Sequence, residues 1–145
     1  MKYIFLDAET DGLDPTVIHC VCCRCDGKEF WTSHPQELQE YIEGNAIVGH
    51  NIIGYDKPVL EKLWGTDFSS CKIVDTLVMS RLADPCRDGG HSLRNWGEYL
   101  RMPKGDQKEF DTFTPEMLEY CQQDVKITEE VFKRLSLDLE AFSEL

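Results

Sequence analysis

The chain has 145 residues, of which 41% are hydrophobic and 29% charged, values that exclude a disordered chain and fit one domain with a real core. No run of ~18 apolar residues is present, so no membrane-spanning helix and no membrane partner are expected. A formal net charge of −12 excludes a broad cationic face for phosphates. Either the ligand is not a nucleic acid, or the acidic residues serve a metal site while a larger partner holds the polymer. Met1 leads straight into a strand pattern, without a basic region and an apolar signal segment, which reads as cytosolic.

Tyr3 to Leu6 form the first expected strand, running on into Asp7 and Glu9. Residues two apart on a strand share a face, so these two carboxylates stand side by side and repel. Hard divalent cations relieve such repulsion by accepting several oxygen ligands. The plainer alternative is a charged turn after an edge strand, with Thr10-Asp11-Gly12 as the turn. Val17 to Cys25 is the second strand, Asp26-Gly27 a hairpin signal and Lys28 to Thr32 the third strand, together an antiparallel meander. Four of the seven cysteines lie between Cys20 and Cys25. Strand alternation sends them to both faces, so they read as small buried hydrophobes rather than as one metal centre. The odd count argues against a disulfide framework.

Pro35 opens a helix carrying Leu38, Tyr41 and Ile42 inward, ended by Gly44-Asn45. Ala46 to His50 is a short apolar strand, expected parallel to the first because a crossover helix precedes it. A helix starts near Asp56-Lys57-Pro58 and stops at Gly65. Lys72 to Asp75 is the fifth strand, and Thr76 to Leu82 the next helix, with Asp75 read as its N-cap rather than a further ligand. Ser92 or His91 leads a helix with Leu93, Trp96, Tyr99 and Leu100 on its apolar side. Met102 to Thr112 has no period and reads as a surface loop. Thr114 and Pro115 start the last helix, which continues without a stop signal, as if the chain were cut from something longer.

Carboxylates stand out at three places: Asp7 with Glu9, Asp56 just past His50-Asn51, and Asp124 one turn after Tyr120. Adjacent parallel strands bring their carboxyl ends together, where open α/β sheets build sites, and a helix across that end can add Asp124. Four carboxylates can hold two divalent metals ~3.5–4 Å apart, which suits phosphodiester cleavage. Asp7-Ala8-Glu9-Thr10, His50-Asn51 with Asp56, and Tyr120-Cys121-Gln122-Gln123-Asp124 resemble, in order, the three motifs of the DEDD exonucleases. One branch of that family has a His five positions before the last Asp, where this chain has Glu119. The other has a Tyr four positions before it, and Tyr120 is that residue. The chain therefore looks like the tyrosine branch, which includes the proofreading domains of family A DNA polymerases. The segments Asp75 to Leu82 and Gly90 to Gly97 are similar to stretches of the replicative polymerases of short-tailed phages.

The resemblance implies an α/β, RNase H-like fold: a five-stranded mixed sheet, antiparallel meander then parallel strands, flanked by helices. It implies a single 3′→5′ exonuclease domain over residues 1–145, acting on a single-stranded DNA 3′ end with two divalent ions, Mg2+ or Mn2+. A polymerase domain or subunit is the implied partner, and the host cytoplasm the implied location if the chain is phage-encoded. Asp7, Glu9 and Asp124 would hold the ion that activates water, Asp7 would bridge to a second ion helped by Asp56, and Tyr120 would orient the water. Thr10 and Leu13 would hold the terminal nucleotide, and Asn51 and Tyr55 would line the strand's path. An RNase of the same superfamily and a non-catalytic domain that binds a partner or a DNA end are the alternatives. His50 and His91 read as hydrogen-bonding scaffold, and Trp64, Trp96 and Phe132 as core. Lys104, Lys108, Arg94 and Arg101 read either as phosphate contacts or as a solvated face.

Overall fold

A computed structural model describes residues 1–105 and 110–143. Strands β1 (Tyr3–Thr10), β2 (Ile18–Cys25), β3 (Lys28–Thr32), β4 (Ala46–Gly49) and β5 (Lys72–Asp75) form one five-stranded sheet in the order β3-β2-β1-β4-β5. The pairs β1–β2 and β2–β3 are antiparallel, whereas β1–β4 and β4–β5 are parallel. Asp26 and Gly27 both have positive φ, 51° and 76°, the backbone that a two-residue hairpin twisted to match its strands requires. The helices are α1 (Pro35–Ile42), α2 (Lys57–Trp64), α3 (Thr76–Ala83), α4 (Leu93–Tyr99) and α5 (Pro115–Ser143).

The alternation of β1 sorts its side chains between two layers. Ile4, Leu6 and Ala8 face one side, where they join Val21, Cys23 and Ile47 of the sheet and Leu38, Ile42 and Leu60 of α1 and α2. Phe5 faces the other, with Cys20, Cys22 and Val48 of the sheet and Cys121 and Val125 of α5. Beyond the sheet, α5 continues against α4 through Leu93, Trp96, Ile127, Val131 and Leu135. Trp96 is thus core, as expected, while Trp64 and Phe132 are partly buried hydrophobics packed against their clusters.

The first strand runs on past Leu6 through both acids, as expected: pairing with β2 continues through Asp7↔Cys22 and Glu9↔Cys20 to Thr10↔Ile18, with an irregularity at Glu9/Thr10. Both carboxylates therefore lie within a central strand, which rules out a charged turn on an edge. The helix expected near Asp56-Lys57-Pro58 begins at Lys57, preceded by a π-helical turn that the sequence did not announce, Ile52–Asp56. Two glycines admit it: a Cβ on Gly49 would sit 2.8 Å from Ile52 Cβ, and one on Gly54 would sit 2.5 Å from Asn51 Oδ1. The expected loop from Met102 to Thr112 carries no helix or strand in its described part, and its residues 106–109, Lys108 among them, lie outside the described residues.

Candidate active site

Asp7 and Glu9 project from β1 on the face that α5 covers. Asp124 comes down from α5, and its backbone carbonyl accepts the Thr128 hydroxyl at 2.9 Å. Asp56 closes the π turn and is 4% exposed. Its place is set by Asp75, at the end of β5. The Asp75 carboxylate accepts the backbone N–H of Asn51 at 2.9 Å, of Ile53 at 3.1 Å and of Leu77 at 2.9 Å. It therefore caps α3 as expected, and it also pins the entry to the π turn, with Asn51 in the left-handed region at φ 63°. The double duty needed the fold to be seen, since Asn51 and Asp75 meet only through the parallel pairing of β4 and β5.

The four carboxyl groups act on one another. Burial raises Asp7 well above the usual carboxylate range, and Asp56, Asp124 and Glu9 raise it further. Burial raises Asp56, with Glu9, Asp75 and Asp124 adding to it. Burial, then Asp124, pushes Glu9 up to about 8. Asp124 is also raised by burial, although Lys104 and Arg94 oppose it. A cluster of acids that resist ionisation together is one that divalent cations would relieve. The carboxylate donors are hard oxygens, which fit Mg2+ or Mn2+; Asp7 and Glu9 bring such oxygens within 4.8 Å of each other, with the soft Cys121 sulfur beside them.

Tyr120 is half-buried on α5, one turn before Asp124 and on the same side of the helix. A side chain on Gly105 would collide with its ring, so that glycine is what lets the ring lie there. The Thr10 and Tyr55 hydroxyls lie 2.7 Å apart, and both donate to the Gly12 carbonyl, at 3.0 and 2.7 Å. They lock the turn that follows β1, and Thr10 is itself buried. Leu13, on that turn, is an apolar side chain 98% exposed. Asn51 is exposed and Tyr55 half-buried. Asp11 accepts from the backbone of Thr16 and Val17 at 2.8 and 3.1 Å, so it closes the same turn.

His50 Nε2–H donates to the His91 carbonyl at 2.7 Å, and its Nδ1 accepts the Thr76 hydroxyl at 2.8 Å. His91 Nδ1 meets Ser80 Oγ at 2.6 Å. Both histidines are therefore scaffold. Two features were not read from the sequence. Cys121 joins Cys20 and Cys22, their sulfurs within 4.8 Å of one another, and its thiol donates to Asp7 O at 3.3 Å and Oδ2 at 3.6 Å. The side of the cysteine reading that places Cys23 on the opposite face holds. Lys104 also departs from the solvated-face reading offered for it. Its Nζ lies 3.0 Å from Asp124 Oδ2, on a carboxylate of the site rather than on a solvated face. The i, i+3 spacing of Cys121 and Asp124 is the one available hint of the first, and nothing local hints at the second.

No family model matches the chain. It is 27% identical to the DNA-directed DNA polymerase of Escherichia phage T7 over 96% of this chain and 27% of the polymerase. It is also 27% identical to that of Enterobacteria phage T3, over 88% of this chain and 25% of the polymerase. The chain thus spans about a quarter of the length of these curated relatives. Among solved structures, Brucella melitensis NrnC with bound Mg2+ superposes with a TM-score of 0.76 at 20% identity, over 97% of this chain and 75% of that one. NrnC bound to pGG gives 0.74 at 19% identity, over 97% and 74%. The chain is similar in sequence to phage DNA polymerases, as its three motifs led us to expect, and its fold is RNase H-like.

Proposed function

We propose that this chain is a divalent-metal-dependent 3′→5′ exonuclease domain that releases nucleoside monophosphates from single-stranded DNA ends. The observation that carries the reading is the convergence of Asp7, Glu9, Asp56 and Asp124 on one end of the sheet, each held above its ordinary pKa by burial, with Asp7, Glu9 and Asp56 raised further by neighbouring carboxylates. In this reading Asp7, Glu9 and Asp124 hold one ion, and Asp7 with Asp56 a second. Bound there, such ions supply activation of a water and stabilisation of the leaving oxygen. Tyr120, one turn before Asp124, orients the attacking water. Leu13 packs on the terminal base, the turn locked by Thr10 and Tyr55 positions it, and Asn51 borders the strand's path.

Residues 1–145 act in this proposal as one domain working beside a polymerase domain or subunit. The similarity to phage polymerases supports that role, and so does the charge of −12: a domain with so little cationic surface gains from having the DNA end delivered at high local concentration. Incubation with end-labelled single-stranded DNA and RNA, with Mg2+ or with EDTA, tests the reading. The expected result is stepwise loss of 3′ nucleotides from DNA in Mg2+ and none in EDTA. Preferred degradation of RNA makes the chain a ribonuclease of the same superfamily, and no degradation of either makes it a binding domain.

A further inference from the structure

The carboxylate cluster already contains a cation. The Lys104 Nζ lies 3.0 Å from Asp124 Oδ2, with both side chains mostly shielded from solvent. The described lysines Lys2, Lys57, Lys126 and Lys133 pair instead with acids away from the site, at Asp26, Glu61, Glu29 and Glu129. The position of Lys104 is specified by both helices beside it. Met102 N–H donates to the Gly97 carbonyl of α4 at 2.7 Å. A Cβ on Gly97 would sit 2.7 Å from the Met102 carbonyl, so only glycine admits the segment so close. From α5, Gln123 Nε2 donates to the Pro103 carbonyl at 3.3 Å, and Tyr120 lies against Gly105.

We propose that Lys104 is a built-in counter-ion of the site: it holds Asp124 while no metal is bound, and it must leave Asp124 for a divalent ion to bind. The proposal rests on the nuclease reading only in taking these carboxylates as the ion's ligands. An ion such as Mg2+ needs its ligand oxygens at about 2.0–2.1 Å. With an ammonium 3.0 Å from Asp124 Oδ2, a second cation on that carboxylate meets like-charge repulsion in a buried setting, where screening is weak. The displacement has a consequence for the catalytic geometry. Lys104 is followed by Gly105, on which the Tyr120 ring rests, so metal occupancy and the setting of Tyr120 are coupled through one short segment.

The test is made without nucleic acid. Calorimetric titration with Mg2+ compares the wild type with Lys104→Met and Lys104→Arg. Acetylation of the wild type, followed residue by residue by mass spectrometry, compares Lys104 with and without Mg2+. Lys104→Met is expected to bind the ion about tenfold more tightly, and Lys104→Arg close to the wild type. Lys104 is expected to acetylate several-fold faster with Mg2+ present, while the exposed Lys62 does not change. Equal affinities in all three proteins, or acetylation of Lys104 that Mg2+ leaves unchanged or slows, overturns the role of Lys104 and leaves the nuclease reading standing. If no ion binds to any of the three, the metal-dependent reading falls, and this proposal with it.

Discussion

The two faces of β1 follow one alternation and do opposite work. Ile4, Leu6 and Ala8 point into a dry core closed by α1 and α2. Phe5 points the other way into a second cluster under α5, and the next two residues on that face are the acids Asp7 and Glu9. Burying an aliphatic side chain such as Leu6 stabilises the fold by about 1.5–3 kcal/mol. Burying two acids within reach of two more does the reverse unless they are protonated or hold a cation. The contrast shows how one strand can carry a destabilised site: its opposite face anchors it, and its central place in the sheet leaves it no freedom to move away.

Substitutions on the two faces should therefore separate activity from stability. The largest effect is expected from Asp7→Asn, which should bring hydrolysis of single-stranded DNA to background while raising the melting temperature of the metal-free protein, because one source of repulsion is gone. A metal-free melt below that of the wild type would mean that the site face is not under repulsion at all. Leu6→Ala, one position away, should do the opposite. It should cost about 2–5 kcal/mol in denaturant unfolding and leave the kcat of the remaining folded fraction near the wild-type value.

Smaller effects sharpen the site face itself. Asp124→Ala should abolish turnover at any metal concentration, whereas Tyr120→Phe should slow it by about 100-fold or less, since a hydroxyl that positions water is worth less than a ligand to the ion. Equal losses in the two variants, measured at saturating Mg2+, would break that assignment. The smallest and broadest effect is on pH. Glu9 is held at about 8 in the metal-free fold against an ordinary 4.5. Between those two values the folded chain binds more protons than the unfolded one, so stability falls as pH rises through that window. Thermal melts in EDTA should decline from about pH 5 to pH 8, and Mg2+ should flatten the decline by favouring the ionised form. A melt that rises with pH in EDTA would contradict the acid cluster.

Local chemistry in the sequence was enough for the elements and for the acids. Each strand of the sheet and each helix except the π turn is announced by an apolar period, a cap or a stop: Asp26-Gly27 at the hairpin, Thr114-Pro115 at the start of α5, Gly65 in the left-handed region at the end of α2. Asp7 and Glu9 share a face because a strand has a period of two, and Tyr120 stands over Asp124 because a helix has a period near four. What only the tertiary structure decided depends on groups brought together from distant positions. The π turn that buries Asp56 rests on Asp75, which holds the N–H groups of Asn51 and Ile53 from a neighbouring strand. The thiol under Asp7 comes from α5, and the ammonium on Asp124 comes from a segment with no periodicity to read. Hydrogen bonds and charges act through space, so a pattern along the chain can place each carboxylate on its element but cannot say which cation will stand among them.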